Sequence, residues 1–570
     1  MNSQLAKIFL EIAEYLAMDN IPFKPAAYEK AARGIESLKK DIEDIYREEG
    51  LDGLEKIPGV GKSIAEKIEE YIRTGKIKYY QELKKEYPVS LLELSSVEGL
   101  GPKHIKTLYD KLEIKDLADL EKAAREGEIE KLPRFGKKVQ ENILRGIEFV
   151  KAGQGRMLLG SALPLSEKIK QRLEGREEAE KVEVAGSLRR MKETVGDLDI
   201  LAVSGKPEKL MEYFCSMPEV EAVLAKGETK SSVRLVQGLD ADLRIVSAES
   251  YGSALQYFTG SKDHGIKLRR IAQEKGLKLN EYGIFKGEKQ IAGQSEEEVY
   301  ETLGLKYINP EIREDAGEIE ASRNNKLPKL VNYDEIKGDL QMHSTWSDGS
   351  ASIREMAQAA KKIGYEYIAI TDHIGKLKIA GALDEQEVLG QWNEIDKLNK
   401  ELDGIKIFKG AEADLDEKGR PEFSEEFLSK FDLVLGSIHS KFRMAKDDMT
   451  QRLINALENP LINIIAHPTG RIIGRREAIS LDIEKVIEAA KENKKILEIN
   501  CYPDRLDLKD QHIRIAVEKG VRLSLGTDSH SPDQLPYLKF GLAQARRGWA
   551  ERKDIVNCLN LGELKKVLTN

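Results

Sequence analysis

The spacing of apolar residues changes along the chain, and each change marks a different kind of structure. Up to about residue 150, Leu, Ile and Ala recur at helical spacing among Glu and Lys, which predicts a set of amphipathic helices. Past Gly153-Gln-Gly155 the period shifts. Ile200-Leu-Ala-Val203 is an unbroken apolar run behind Asp197-Leu-Asp199, so a buried strand carries both carboxylates on one face. Asp240-Ala-Asp-Leu-Arg-Ile-Val246 alternates acid and apolar residues and predicts another strand. Pro310–Pro328 is polar and charged and reads as a linker. Beyond it, apolar runs at Gly338–His343, Tyr367–Asp372, Ile405–Ala411, Leu433–Ile438, Ile462–Ala466, Ile496–Asn500 and Arg522–Gly526 are separated mostly by helical stretches. That alternation implies a parallel sheet, and the number of units suggests a barrel. A chain of 570 residues exceeds one core. The shifts divide it into helical parts 1–80 and 81–150, mixed parts 151–246 and 247–318, a linker 319–335, and an alternating part 336–570.

The helical part contains a repeat: Ile57-Pro-Gly-Val-Gly61, Val97-Glu-Gly-Leu-Gly101 and Leu132-Pro-Arg-Phe-Gly136, each followed by lysine and a helical segment. Glycines allow a tight turn that presents backbone N–H groups at a helix N-terminus, where an anion is favoured. Gly59, Gly61, Lys62, Gly99, Gly101, Lys103, Gly136 and Lys137 are therefore expected to hold DNA phosphate, without reading sequence. The alternative is a set of glycine-capped helix corners, and the recurrence with lysines weighs against it. The net charge of −8 does not favour a polyanion partner, but local basic surface decides phosphate contact. Cys215, Cys501 and Cys558 have no paired spacing, which fits a reducing cytoplasm. The opening segment is amphipathic and carries acids, unlike a secretory signal. No apolar run approaches the ~20 residues that span a membrane, so no membrane association is expected.

Two constellations carry chemistry. Asp197 and Asp199 on one strand and Asp242 on another can hold two hard cations about 4 Å apart, the arrangement for in-line phosphoryl transfer. A Gly-Ser pair and arginines just upstream can hold phosphate. Six of the eight histidines follow residue 340, and five of these sit just past a predicted strand. Strand C-termini converge in a (β/α) barrel, so these side chains form a set for borderline cations such as Zn2+ or Mn2+. His512 falls in a helical segment and reads as structural.

Gly186-Ser187-x-Arg189-Arg190, Gly196-Asp197-x-Asp199, Asp242, Tyr257-Phe-Thr-Gly-Ser261 and Leu279-Asn-Glu-Tyr282 together resemble the nucleotidyltransferase signature of family X DNA polymerases, the polymerase β group. The repeated turns resemble that family's helix-hairpin-helix elements, so the resemblance covers about residues 1–320. It implies a helical lyase-like and DNA-binding region, an α+β palm and a small α+β thumb. It implies that Asp197, Asp199 and Asp242 bind Mg2+ or Mn2+, and that Gly186, Ser187 and Arg190 hold the triphosphate of a dNTP. Tyr257 and Phe258 flank the sugar, Arg269 probes the nascent base pair, and Gly260 belongs to the same nucleotide site. Na+ or K+ at the hairpin turns is also implied. Lys67 matches a Schiff-base lysine that removes 5′-deoxyribose phosphate; a phosphate-binding lysine is the other reading. The chain departs from the family at Ser63, Lys262 and Gly265, which replace a lysine, an aspartate and an asparagine.

The alternating part resembles the polymerase-and-histidinol-phosphatase (PHP) superfamily, whose barrel holds up to three ions, here Zn2+ and/or Mn2+. By that resemblance Gln341, His343, Glu412 and Asp528 surround one ion. Glu412, His439 and His467 surround the next, and Asp348, His373 and His530 the third. Gln341 stands where the family has a histidine. The combined expectation is a monomeric repair polymerase that fills short gaps in primer-template DNA. Its barrel is expected to be a 3′-5′ exonuclease, with cutting at abasic sites also open. A structural or DNA-docking barrel, or one acting on small phosphoesters, is the alternative.

Overall fold

The computed structural model describes the chain from Met1 to Thr569 apart from residues 20, 37, 39, 96, 98–99, 134, 154 and 376–379; Gly99 thus lies outside the described residues. Residues 1–153 form helices, among them Asn2–Met18, Lys62–Thr74, Pro102–Leu112 and Gly136–Gly153. Their apolar faces meet in one core that runs from Leu5 and Phe9 through Ile68 and Ile105 to Ile147. The repeated motifs make the same turn: Val60 N–H donates to the Ile57 carbonyl (2.9 Å), Leu100 to Val97 (3.0 Å) and Phe135 to Leu132 (3.2 Å). Gly59 has φ +82°, and a Cβ there would lie 2.7 Å from the Lys30 backbone, so only glycine fits the turn against the neighbouring helix.

The palm is a five-stranded sheet of β1 (Lys181–Val184), β2 (Asp197–Val203), β3 (Val220–Lys226), β4 (Lys230–Leu235) and β5 (Asp240–Val246), in the order β1-β2-β5-β4-β3. Strand β2 runs parallel to β5, with Asp199 opposite Asp242. Alternation sends Leu198, Ile200 and Ala202 into one core, while Leu201 packs under the helix Tyr251–Thr259 on the other face. Asp197 and Asp199 share that second face.

The polar stretch Pro310–Pro328, expected as a linker, is packed instead. Its charges have buried partners. Arg313 is fully buried, donating to Glu296 (2.5 Å) and to the Ile308 carbonyl (2.8 Å), and Glu296 also takes two hydrogen bonds from Arg189. Glu318 meets His264 Nδ1 at 2.6 Å. These pairs tie the three-stranded thumb sheet (Lys278–Asn280, Gly283–Lys286, Lys289–Ala292) and its helices to the palm turn.

The seven predicted strands of the alternating part are all present: β6 (Gly338–Met342), β7 (Tyr367–Ile370), β8 (Lys406–Asp414), β9 (Leu433–Ser437), β10 (Ile464–Ile465), β11 (Ile496–Asn500) and β12 (Leu523–Gly526). They pair in parallel and in chain order. The ring closes where Asp528 N–H donates to the Gln341 carbonyl (3.0 Å) and His343 N–H to the Ser529 carbonyl (2.8 Å). The barrel is not a loosely tethered appendage. Leu506 and Phe540 enter the palm core, and Arg547 donates to the Arg190 carbonyl (2.7 Å) and pairs with Glu314 and Asp510. Among the described residues no helix is long and apolar enough to cross a membrane.

Candidate active sites

In the palm, Asp197 is exposed and Asp199 half-buried on β2, and Asp242 stands beside Asp199 on β5. Burial first, with Asp197 and Asp242 alongside, pushes the Asp199 carboxyl up to about 6. A carboxylate cluster that holds its own proton this tightly fits divalent cations, whose charge offsets the repulsion. Lys230, on the neighbouring strand β4, forms an ion pair with Asp242 (2.7 Å), a partner not expected from the sequence. Gly186 (φ +62°) opens the short helix Gly186–Arg189, and a Cβ on it would come within 2.4 Å of Asp199 Oδ2. Glycine is required there, and it brings the start of that helix against Asp199.

Arg190 pairs with Glu314 (3.1 Å) and donates to the Thr259 carbonyl; Gly260 leaves it room, since a Cβ there would sit 3.0 Å from its Nη1. Tyr257 is 40% exposed, edge-on to Phe258, with the Arg269 guanidinium over its ring at 5.8 Å. Arg244 covers Phe258 at 4.4 Å. The structure therefore assembles Ser187, Arg190, Tyr257, Phe258, Gly260 and Arg269 from the palm turn and the helices Tyr251–Thr259 and Lys262–Glu274. In the helical region Gly61 and Gly101 cap the helices Lys62–Thr74 and Pro102–Leu112, Gly136 starts its own, and Lys62, Lys103 and Lys137 are exposed. Lys67 donates to the Ser63 carbonyl and hydroxyl, both at 3.0 Å. Burial, and beyond it Lys24, lowers its ammonium pKa, the direction a Schiff base needs.

The acids of the palm lead to a prediction about pH. Protons compete with metal for Asp199, so below pH ~6 the half-saturating Mg2+ concentration for primer extension should rise about tenfold per pH unit. Above that pH it should level off. An unchanged Mg2+ requirement between pH 5 and pH 7, about a unit either side of the Asp199 value, would contradict this.

At the barrel's C-terminal rim the residues cluster around Glu412 on β8. His439 Nε2 and His467 Nε2 lie 3.2 and 3.0 Å from its Oε1; His343 Nε2 and Gln341 Nε2 lie 3.3 and 3.1 Å from its Oε2. His343 is also 3.1 Å from Asp528, and His530 is 3.3 Å from Asp348. Among the described residues three compact triads emerge: Glu412-His439-His467, His343-His373-Glu412 and His343-Asp348-His530. The first is the grouping expected from sequence, while His373 lies closer to Glu412 and His343 than to the Asp348-His530 pair it was grouped with. Against its burial, His373, His343, His439 and His467 hold the Glu412 carboxyl well below the usual carboxylate range. Nδ1 of His343, Nδ1 of His467 and Oε1 of Gln341 are buried without a hydrogen bond. Such orphaned lone-pair atoms, converging on carboxylates, fit metal ligation. His467 (φ +29°) and Asp528 (φ +54°) sit in left-handed backbone, strain of the kind functional sites store. His512 lies in the helix Asp510–Lys519, in none of the triads.

Sequence reasoning missed supporting residues here. Glu498 and Asn500 point into the same centre: Glu498 accepts the His467 N–H (2.7 Å) and Asn500 donates to Asp528 (3.1 Å). Burial pushes the Glu498 carboxyl well above its ordinary range. Their signal was available, since polar residues at alternate positions of Ile496-Leu-Glu-Ile-Asn500 must face the barrel interior. Arg505, 3.5 Å from Asp528, comes from a loop and carries no such signal.

The comparisons agree with this anatomy. Models of a helix-hairpin-helix domain match residues 1–77, a tandem helix-hairpin-helix 91–148, the DNA polymerase beta thumb 254–314 and the PHP domain 339–502. A probable phosphatase of Thermoanaerobacter sp. is 31% identical over 242 residues, 40% of this chain and 93% of its own length. One of Acetivibrio thermocellus is 35% identical over 201 residues, 34% of this chain and 78% of its own. The DNA polymerase/3′-5′ exonuclease PolX of Bacillus subtilis is 39% identical over 573 aligned residues, 99% of this chain and 98% of that protein. The polymerase and PHP parts imply DNA binding and dependence on divalent metal. With both halves matched in order and across the full length of that relative, the chain belongs to the PolX family, a polymerase β-like polymerase joined to a PHP domain.

Proposed function

We propose that this protein fills short gaps in DNA from dNTPs at the palm and shortens 3′ ends at the barrel. The observation that carries the reading is the coexistence of three acids, Asp197, Asp199 and Asp242, on two paired palm strands with the compact histidine groups around Glu412. Divalent ions, Mg2+ or Mn2+ in the palm and Zn2+ or Mn2+ in the barrel, supply Lewis-acid stabilisation of a phosphate in transfer when bound. The chain does the rest. Backbone N–H groups at Gly186-Ser187 and the Arg190 guanidinium hold the triphosphate, and Tyr257 and Phe258 wall the sugar. Arg269 faces the nascent pair, and the hairpin turns hold template phosphates with Na+ or K+. Lys67 is the candidate lyase amine. Gln341, His343, Glu412 and Asp528 hold one barrel ion, Glu412, His439 and His467 a second, and Asp348, His373 and His530 a third. The working divisions are 1–80, 81–150, 151–246, 247–318 and 336–570, in a cytoplasmic monomer.

A second reading, a barrel acting on small phosphoesters, draws on the relatives named probable phosphatases. A 5′-labelled primer on gapped DNA with Mn2+ tests both. Extension with dNTPs and shortening without them is expected. No shortening, together with hydrolysis of a small phosphate monoester, would favour the second reading.

A further inference from the structure

The loops that carry His439 and His467 out of the barrel do not end in solvent. Phe442 and Arg443, just past His439, face Lys138, Asn142 and Arg145 of the helix Gly136–Gly153 across a cavity of about 520 Å3. Arg475 and Arg476, past His467, face Gly101, Lys103 and His104 of the second hairpin across a neighbouring cavity of about 610 Å3. Arg476 lines both, so the cavities share a wall. The two linings together hold six Lys and Arg side chains and one acid, Glu477. In a chain of net charge −8 that concentration of one sign is not the average surface. Arg476 is fixed, its Nε donating to the Gly470 carbonyl (2.8 Å) and its guanidinium stacked on Phe442 at 4.2 Å. A cationic groove with an aromatic wall is the surface that takes a single nucleic-acid strand.

We propose that a single DNA strand runs through this cleft to the Glu412 cluster, its phosphates on Lys103, Lys138, Arg145, Arg443, Arg475 and Arg476. The third hairpin-like segment would then serve the barrel as well as the template, although it lies in the polymerase half of the sequence. The proposal rests on the nuclease reading. It is tested in the full-length protein with Lys138→Glu and Arg145→Glu together, both distant in sequence from every residue of the two metal centres. Three readouts are followed with Mn2+: shortening of a 5′-labelled single-stranded oligonucleotide, hydrolysis of bis(4-nitrophenyl) phosphate, and extension on gapped DNA.

Shortening of the oligonucleotide should fall roughly tenfold or more, and the slope of log affinity against log salt should lessen by ~1.4, about 0.7 for each of two lost phosphate contacts. Hydrolysis of the small diester should stay at the parent level. Unchanged shortening and salt slope, beside an active parent, would overturn the cleft. An equal loss on the small diester would also overturn it, by assigning the residues to support of the barrel. A parent protein that shortens no strand defeats the nuclease reading instead, so the two failures are distinct.

Discussion

Replacing Asp197 and Asp199 together by asparagine should stop primer extension while leaving the shortening of 3′ ends intact. The two residues share the face of β2 that meets Asp242, so the double change removes two of three carboxylates from one centre. Lewis-acid stabilisation of a transferring phosphate is worth several kcal/mol; a loss of ~4 kcal/mol is a fall of about 10³ in rate. Asparagine is preferable to alanine at position 199, because the side chain packs against Gly186, whose Cα leaves no space for more than a hydrogen. The fold should not suffer. Removing charge where burial first, and the neighbouring acids second, hold Asp199 at about 6 relieves the metal-free protein, so its melting temperature should stay level or rise. Primer extension, strand shortening and DNA binding measured side by side decide the matter. Extension that survives the double substitution would remove the palm from the proposed reaction, and loss of all three activities would assign the pair a structural role.

Much of this molecule was legible in its sequence, because its elements obey simple periods. The barrel strands appear where apolar runs alternate with helices, and the repeated hairpins share one hydrogen-bonded turn from Ile57 to Val60, Val97 to Leu100 and Leu132 to Phe135. The partnership of Asp199 with Asp242 followed from two strands bearing acids at alternating positions. What escaped were charged groups whose partners lie on other elements. Pro310–Pro328 looked like a solvated linker because composition cannot distinguish a charge in water from a charge buried against its opposite. Arg313 is the clearest case: it is fully buried, with Glu296 as partner. Lys230 beside Asp242 and Arg547 beneath the Arg190 turn are of the same kind. Lys230 is placed by the order of the palm strands, and Arg547 only by the docking of the barrel. The same limit explains Glu498, which strand alternation did point inward, but whose neighbours His467 and Asp528 lie on other strands.

Substituting His439 or His467 by alanine should abolish strand shortening, by about 10³ or more on the same Lewis-acid argument, and leave primer extension in place. The two imidazoles approach the same oxygen of Glu412, so either loss opens one side of that centre. Their structural costs differ. The His467 side chain is 1% exposed, and its removal leaves the buried Glu412 carboxylate one hydrogen bond short, a change that costs ~1.5–3 kcal/mol. The His439 side chain is 17% exposed and nearer the rim, where water can replace it, so its loss should be the milder for stability. Comparing the two separates chemistry from folding. If both variants lose shortening but only His467→Ala melts markedly lower, the imidazoles act as metal ligands. If shortening tracks the melting temperature and His439→Ala keeps it, the cluster is holding the barrel together. Because Leu506, Phe540 and Arg547 bind the barrel to the palm, a barrel that merely unfolded would also disturb extension at the Arg190 turn. Intact extension in His439→Ala is therefore the control that the lost nuclease is a loss of the site and not of the domain.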